Sequence, residues 1–247
     1  MKRTIYLISI SLVTIVCVAF SVTRDLGFDG FEWIGGANWG KHSVDYTVIE
    51  KFDRIAVEGT AMEIKIRRNT VNEYAVKYSY SNKYEPHYSV SNGSLNIIQS
   101  SRRRHLRNAK CEMTIMVPAD ARLEMVDVRL DIADIKISEI SAKEYNLDAA
   151  MGDIKLENID FDKAEINANL GDVSLEDCSF KNLRIDENLG DVDVKSSRNI
   201  SDYSFDLQID LGEISVNGKK YAKGFRYDGK DGSITINNNL GDISVEY

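Results

Sequence analysis

The chain has 247 residues, 43% of them apolar and 28% charged, with 16 Gly and only 2 Pro. That length and apolar fraction allow one domain or two small ones with a real core, and they exclude a Pro-rich stalk or a disordered chain. The net charge of −8 excludes nucleic acid as a first reading. Three Cys and three His leave little for a metal cage or a disulfide scaffold.

Lys2 and Arg3 precede an uncharged, largely apolar run from Thr4 to Thr23. Twenty helical residues at ~1.5 Å each reach ~30 Å, the thickness of bilayer hydrocarbon. Residues 1–23 therefore read as one N-terminal transmembrane helix, a signal-anchor, or as a signal peptide cut after Ser21. In either case the basic flank predicts that the bulk of the chain lies outside the cytoplasm. The protein is then a single-pass membrane protein, or a secreted one if the segment is removed. Outside this run, Cys111 and Cys178 are either a pair in an oxidising compartment or two buried thiols.

Residues 24–43 read as a linker in which Gly27, Gly30, Gly35, Gly36 and Gly40 alternate with Phe28, Phe31, Trp33, Ile34 and Trp39. Period-two alternation begins after Ser43. Examples are Ile55 and Val57, Ile64 and Ile66, and Val76, Tyr78 and Tyr80. This is the mark of half-buried strands. Asn92-Gly93 is a turn signal between two such runs. No amphipathic helix is expected after residue 24.

Next comes a basic run, Arg102, Arg103, Arg104, His105, Arg107 and Lys110. It is either a patch for anionic lipid or anionic cell-wall polymer, or a solvated loop. The charge is uneven along the chain: residues 1–127 balance at +3 and residues 128–247 at −11.

The acidic half contains a repeat. Gly152-Asp153, Gly171-Asp172 and Gly190-Asp191 are spaced by 19 residues, and Ala133-Asp134 lies 19 earlier. Gly212-Glu213 follows after 22 and Gly241-Asp242 after 29. Between these marks the alternation keeps slipping phase. Ala164, Ile166, Ala168 and Leu170 share one phase, Val173 and Leu175 the next, then Cys178 and Phe180, then Leu183. Tyr145, Leu147, Ala149 and Met151 repeat the pattern one coil earlier. A strand keeps its inward face only while the phase holds, so each slip reads as a corner. Three corners predict a triangular coil with one strand of about 8 residues and two shorter ones. Coils stacked ~4.8 Å apart bring equivalent residues into ladders. The expectation is an all-β, single-chain β-solenoid, parallel β-helix-like, with regular repeats over about 128–247.

Gly at each corner supplies a backbone angle other residues resist, and the following Asp or Glu caps it. Asp153, Asp172, Asp191 and Asp242 also form a candidate calcium ladder, since neighbouring carboxylates repel by ~0.9 kcal/mol even in water. The extra Gly residues of calcium-binding repeats are missing. Glu187 falls on the inward phase of Ala149 and Ala168. No nucleophile elbow, zinc motif or phosphate loop appears, and no cofactor is implied.

The Gly-Asp-Ile/Val repeats, FDRIAVEGTAMEIKI (Phe52–Ile66) and IMVPAD (Ile115–Asp120) together resemble the putative-adhesin β-strand-repeat family. This bacterial domain of unknown function is also seen in LiaG-like envelope proteins. The resemblance spans about 44–247. It implies an extracytoplasmic β-repeat domain behind one membrane segment, near envelope-stress functions, without catalytic residues. The expectation is a tethered interaction or scaffold protein that binds an envelope protein or anionic polymer. A carbohydrate-active β-helix enzyme, or a purely structural surface protein, is the alternative. A groove with clustered Asp, Arg and aromatic side chains would favour the enzyme.

Overall fold

In the computed structural model the described residues are 41–81, 84–99 and 111–247. The anchor, nearly all of the linker and the basic run lie outside them. Among the described residues there are strands and turns and no helix, hence none long and apolar enough to cross a membrane.

The alternating stretches form twenty strands. β1 (Lys41–Val48) begins inside the stretch read as linker. β2 (Arg54–Gly59) and β3 (Glu63–Asn69) make one coil. β4 (Ala75–Ser81) and β5 (His87–Ser91) follow, then β6 (Ser94–Gln99) and β7 (Cys111–Pro118). The next coils are β8 (Arg122–Leu130) with β9 (Ile135–Ser138), and β10 (Ser141–Ala149) with β11 (Ile154–Glu157). β12 (Asp160–Ala168) makes a coil with the first part of β13 (Val173–Leu189), whose later part is the long strand of the following coil with β14 (Val192–Ser196). β15 (Ser204–Leu211) and β16 (Ile214–Val216) precede β17 (Lys219–Tyr221) and β18 (Gly224–Tyr227). β19 (Ser233–Leu240) and β20 (Ile243–Glu246) finish the chain.

The strands stack in two parallel ladders. One holds the long strands and the other the short ones, and residue pairs in the regular part are 19 apart, as in Tyr145 with Ala164 or Ile154 with Val173. The repeat is thus a solenoid-like stack, as the spacing predicts. The coil differs from the triangle expected. It has two strands, of 9 and 4 residues in β10 and β11. The third phase slip falls inside the long strand. There the register passes over Lys143 and Asp162, and Asp162 and Lys163 both face outward between the buried Phe161 and Ala164. A bulge of this kind shifts the phase without ending the strand.

Inward ladders fill the core. Ile64, Ile135, Ile154, Val173, Val192, Ile243 and Ile214 form one column, all at most 1% exposed. Large and small side chains alternate between columns. Tyr145 packs over Ala164 while Ala142 packs over Phe161, and the Phe161 and Phe180 rings stack 5.4 Å apart. Such alternation keeps each layer near one volume, which close packing requires.

The order of coils in space is not their order in the chain. β2 lies between β6 and β8, and β3 between β7 and β9. At the other end β19 lies between β13 and β15, and β20 between β14 and β16. The last coil is therefore interior. The outermost coils are covered by antiparallel strands: β4 on β7, β5 on β6, β17 on β16 and β18 on β15. The segment from Asn217 to Gly232 thus covers the edge of the coil before it, not of the final one. Asn92 and Gly93 both have positive φ and close the β5–β6 hairpin, as their sequence predicts.

Candidate binding groove

The corner after each long strand carries the Gly-Asp marks. Gly171 has φ 140°, and a Cβ there would overlap the carbonyl oxygen of Gly152 one coil below. The glycine is demanded both by backbone angle and by contact between coils. Gly152, Gly190, Gly212 and Gly241 stand in the same situation. The Asp residues cap across coils. Asp134 Oδ1 accepts the Asp153 N–H at 3.1 Å, Asp153 accepts from Asp172 at 3.0 Å, and Asp172 accepts from Asp191 at 3.0 Å. Asp191 then accepts from Asp242, and Asp242 from Glu213, both at 2.8 Å. One oxygen per carboxylate is thereby committed to a backbone amide, a charge-assisted bond that offsets the repulsion along the ladder. Among the described residues no group of three or more His, Cys, Asp or Glu is placed to hold a metal ion.

Beside this corner a groove of about 680 Å³ runs across the coils. Its floor is the last inward position of the long strands, where Ala149 and Ala168 are small beside Leu130 in the same column. One wall is Glu58, Arg129, Asp148, Asn167, Asp186 and Asn237, in register from coil to coil. Asn167 donates to Asp148 and Asn237 to Asp186, both at 2.6 Å. Arg184 pairs with Asp186 at 2.8 Å. The other wall includes Asp131, Asn169, Asn188 and Asn239. Here Asn188 donates to Asn169 at 2.7 Å and Asn239 to Asn188 at 2.6 Å.

Glu187 closes the small-residue floor. It is 3% exposed, in register between Ala168 and Asn238. Its Oε1 accepts the Leu189 N–H at 3.1 Å, and Oε2 has no hydrogen-bond partner among the described residues. Asn238 makes the same contact one coil on, accepting from Leu240 N–H at 3.1 Å, and its Nδ2 donates to the Gly190 carbonyl. Burial pushes the Glu187 carboxyl up to about 7. The amides of Leu189 and Asn188 oppose this, and the charges of Asp172 and Asp153 add to it. Inward phase alone places Glu187 here; its role needs the backbone geometry of the corner.

Met151 and Leu170 share the inward phase in the sequence, yet the structure turns them outward. The strands end at Ala149 and Ala168, and the chain bends before the next residue can point in. Met151 is 39% exposed. With Ile132, Leu189, Leu240 and Leu211 they form an apolar stripe on the corner, which sequence phase conceals. The second corner holds Glu139, Asn158 and Asp177 in positive φ. Asn and Asp adopt that conformation most readily, and the 19-residue spacing of these three is a usable signal.

Cys111 and Cys178 are separate buried thiols. Burial pushes them up to about 12 and about 11, far from reactive thiolate character.

The Toastrack DUF4097 family model matches residues 52–246. The chain belongs to the Toastrack family. The resemblance to a repeat domain of unknown function, read from the Gly-Asp repeats, stands. Two solved structures cover 84% of this Toastrack chain. One is a putative cell adhesion protein from Clostridium sporogenes, with 16% identity, 99% of its own chain covered and a TM-score of 0.49. The other is a putative adhesin from Bacteroides fragilis, with 13% identity, 97% covered and a TM-score of 0.44. No curated protein matches the chain.

Proposed function

We propose that this Toastrack protein is a membrane-tethered, extracytoplasmic interaction protein, linked to adhesion or envelope stress, that binds through its stack rather than by catalysis. The groove carries this reading. It is walled by side chains already hydrogen-bonded along the stack, and among the described residues its lining contains no His, Cys, Ser or aromatic residue. Acid–base hydrolysis needs two carboxyl groups tuned apart and facing one bond. Asp148 and Asp186 are instead held by Asn167 and Asn237, and both stand on the same wall of the groove. The tether rests on Lys2, Arg3 and the apolar run behind them. The basic residues Arg102, Arg103, Arg104, Arg107 and Lys110 supply a second contact, toward anionic lipid or polymer. Protease shaving of intact cells tests the topology. Loss of residues 44–247 is expected, and full protection of that span overturns the reading.

A further inference from the structure

The groove walls repeat at the coil spacing, ~4.8 Å. An Asn amide has two donor hydrogens and two acceptor lone pairs. Within its wall Asn188 spends one donor on Asn169 and one lone pair on Asn239. Each such rung therefore keeps a donor and an acceptor for a third party. A chain of hydroxyls with a matching repeat would satisfy them rung by rung. An extended β-linked hexose polymer rises by nearly one coil spacing per sugar.

The charge of the groove selects among such polymers. Glu58, Asp131 and Glu187 have no ion pair among the described residues, whereas Arg129 is shared between Asp127 and Asp148. A polyanion would be repelled. Oε2 of Glu187 lies on the groove floor with no hydrogen-bond partner among the described residues; it carries the proton while the carboxyl is neutral, and the charged form requires a hydrogen-bond donor there. Leaving it unmet costs stability, so a donor that reaches it is favoured.

We propose that the groove binds a linear β-linked glycan bearing free amino groups, laid along the stack axis, with hydroxyls on the Asn169–Asn188–Asn239 rungs and an amine at Glu187. The ammonium would bring Glu187 to its charged form despite the neighbouring Asp153 and Asp172. This deepens the reading as an interaction protein and rests on it.

The test uses the full-length chain in detergent and two probes, the β-1,4-linked hexamers of glucosamine and of glucose, titrated calorimetrically. The glucosamine hexamer should bind saturably and about tenfold more tightly than the glucose hexamer, the increment of one charge-assisted hydrogen bond. Glu187→Gln, which keeps the shape, should erase that preference. The surface double variant N169A/N188A should weaken both probes. Absent binding of the glucosamine hexamer overturns the proposal. So does a preference that survives Glu187→Gln, or affinity untouched by N169A/N188A. Failure here with the domain still shaved from intact cells removes the ligand and leaves the envelope reading standing.

Discussion

In the middle of the stack, from β8 to β14, each coil lies on the one before it in the chain, and pairs are 19 residues apart. At both ends the chain steps over a coil. The first coil, β2–β3, is enclosed by β6–β7 and β8–β9, and the last, β19–β20, by β13–β14 and β15–β16. A parallel coil has open edges that invite pairing with other chains. The outermost coils are those with antiparallel strands available to cover them, reached through turns such as Asn92-Gly93 and Asn217-Gly218. The C-terminal strand, which would otherwise fray, is paired on both sides. Repetition thus builds the middle, and a non-sequential threading finishes the ends.

The largest test of that contrast is removal of β19–β20. A stack in chain order would merely lose its final coil. Here the deletion separates β14 from β16, so hydrogen-exchange protection over residues 204–216 should fall to the level of an unfolded segment. Retained protection would contradict the threading. Next in size, Gly171→Ala forces a Cβ against the Gly152 carbonyl at φ 140° and should cost about 3 kcal/mol or more in urea unfolding. Gly59→Ala, in the enclosed first coil, meets the ends of Leu130 and Met62 at 3.1 and 3.2 Å and should cost much less. Equal losses would erase the distinction between the middle and the end.

Glu187 comes third. Its carboxyl is raised in the fold from 4.5 to about 7, so the folded chain holds a proton the unfolded chain releases. Stability present below the unfolded value is therefore lost as pH rises from 4.5 through about 7, by roughly 3 kcal/mol. Glu187→Gln should melt higher than the parent at pH 8 and equally at pH 4. A constant difference would show that the carboxyl does not titrate in this range. The smallest effect belongs to the Asp ladder. Asp172→Ala removes the acceptor of the Asp191 N–H and should cost about 1 kcal/mol, whereas Asp172→Asn keeps it and should stay within about 0.5 kcal/mol of the parent. Melting midpoints unchanged by chelator are expected throughout; a calcium-dependent midpoint would revive the ladder as a metal site.

What could be read from the sequence follows the same division. Gly171-Asp172 and its equivalents disclose the coil length, because one glycine per coil is sterically compelled. Alternation identifies Ile166 and Val173 as core, but it cannot tell where a strand stops, so Leu170 and Met151 are misplaced. It registers the slip before Leu183 without distinguishing a bulge from a corner. The spacings of 22 and 29 residues disclose inserted chain. They hold no information on which neighbour a coil pairs with, because the inward columns offer similar aliphatic side chains to either. The groove escapes for another reason: Asn169, Asn188 and Asn239 look like ordinary strand-end residues until the coils bring them into one column.

The threading of the last coil can be tested by paired cysteines. Asp193 stands opposite Ser244, and Ser244 opposite Ser215 on its other side. Neighbouring Cα atoms ~4.8 Å apart suit a disulfide, while positions two coils apart exceed the ~7 Å limit. Under mild oxidation the Asp193→Cys, Ser244→Cys variant should cross-link, and the Asp193→Cys, Ser215→Cys variant should not. Cross-linking of the second pair alone would place the coils in chain order and contradict the account.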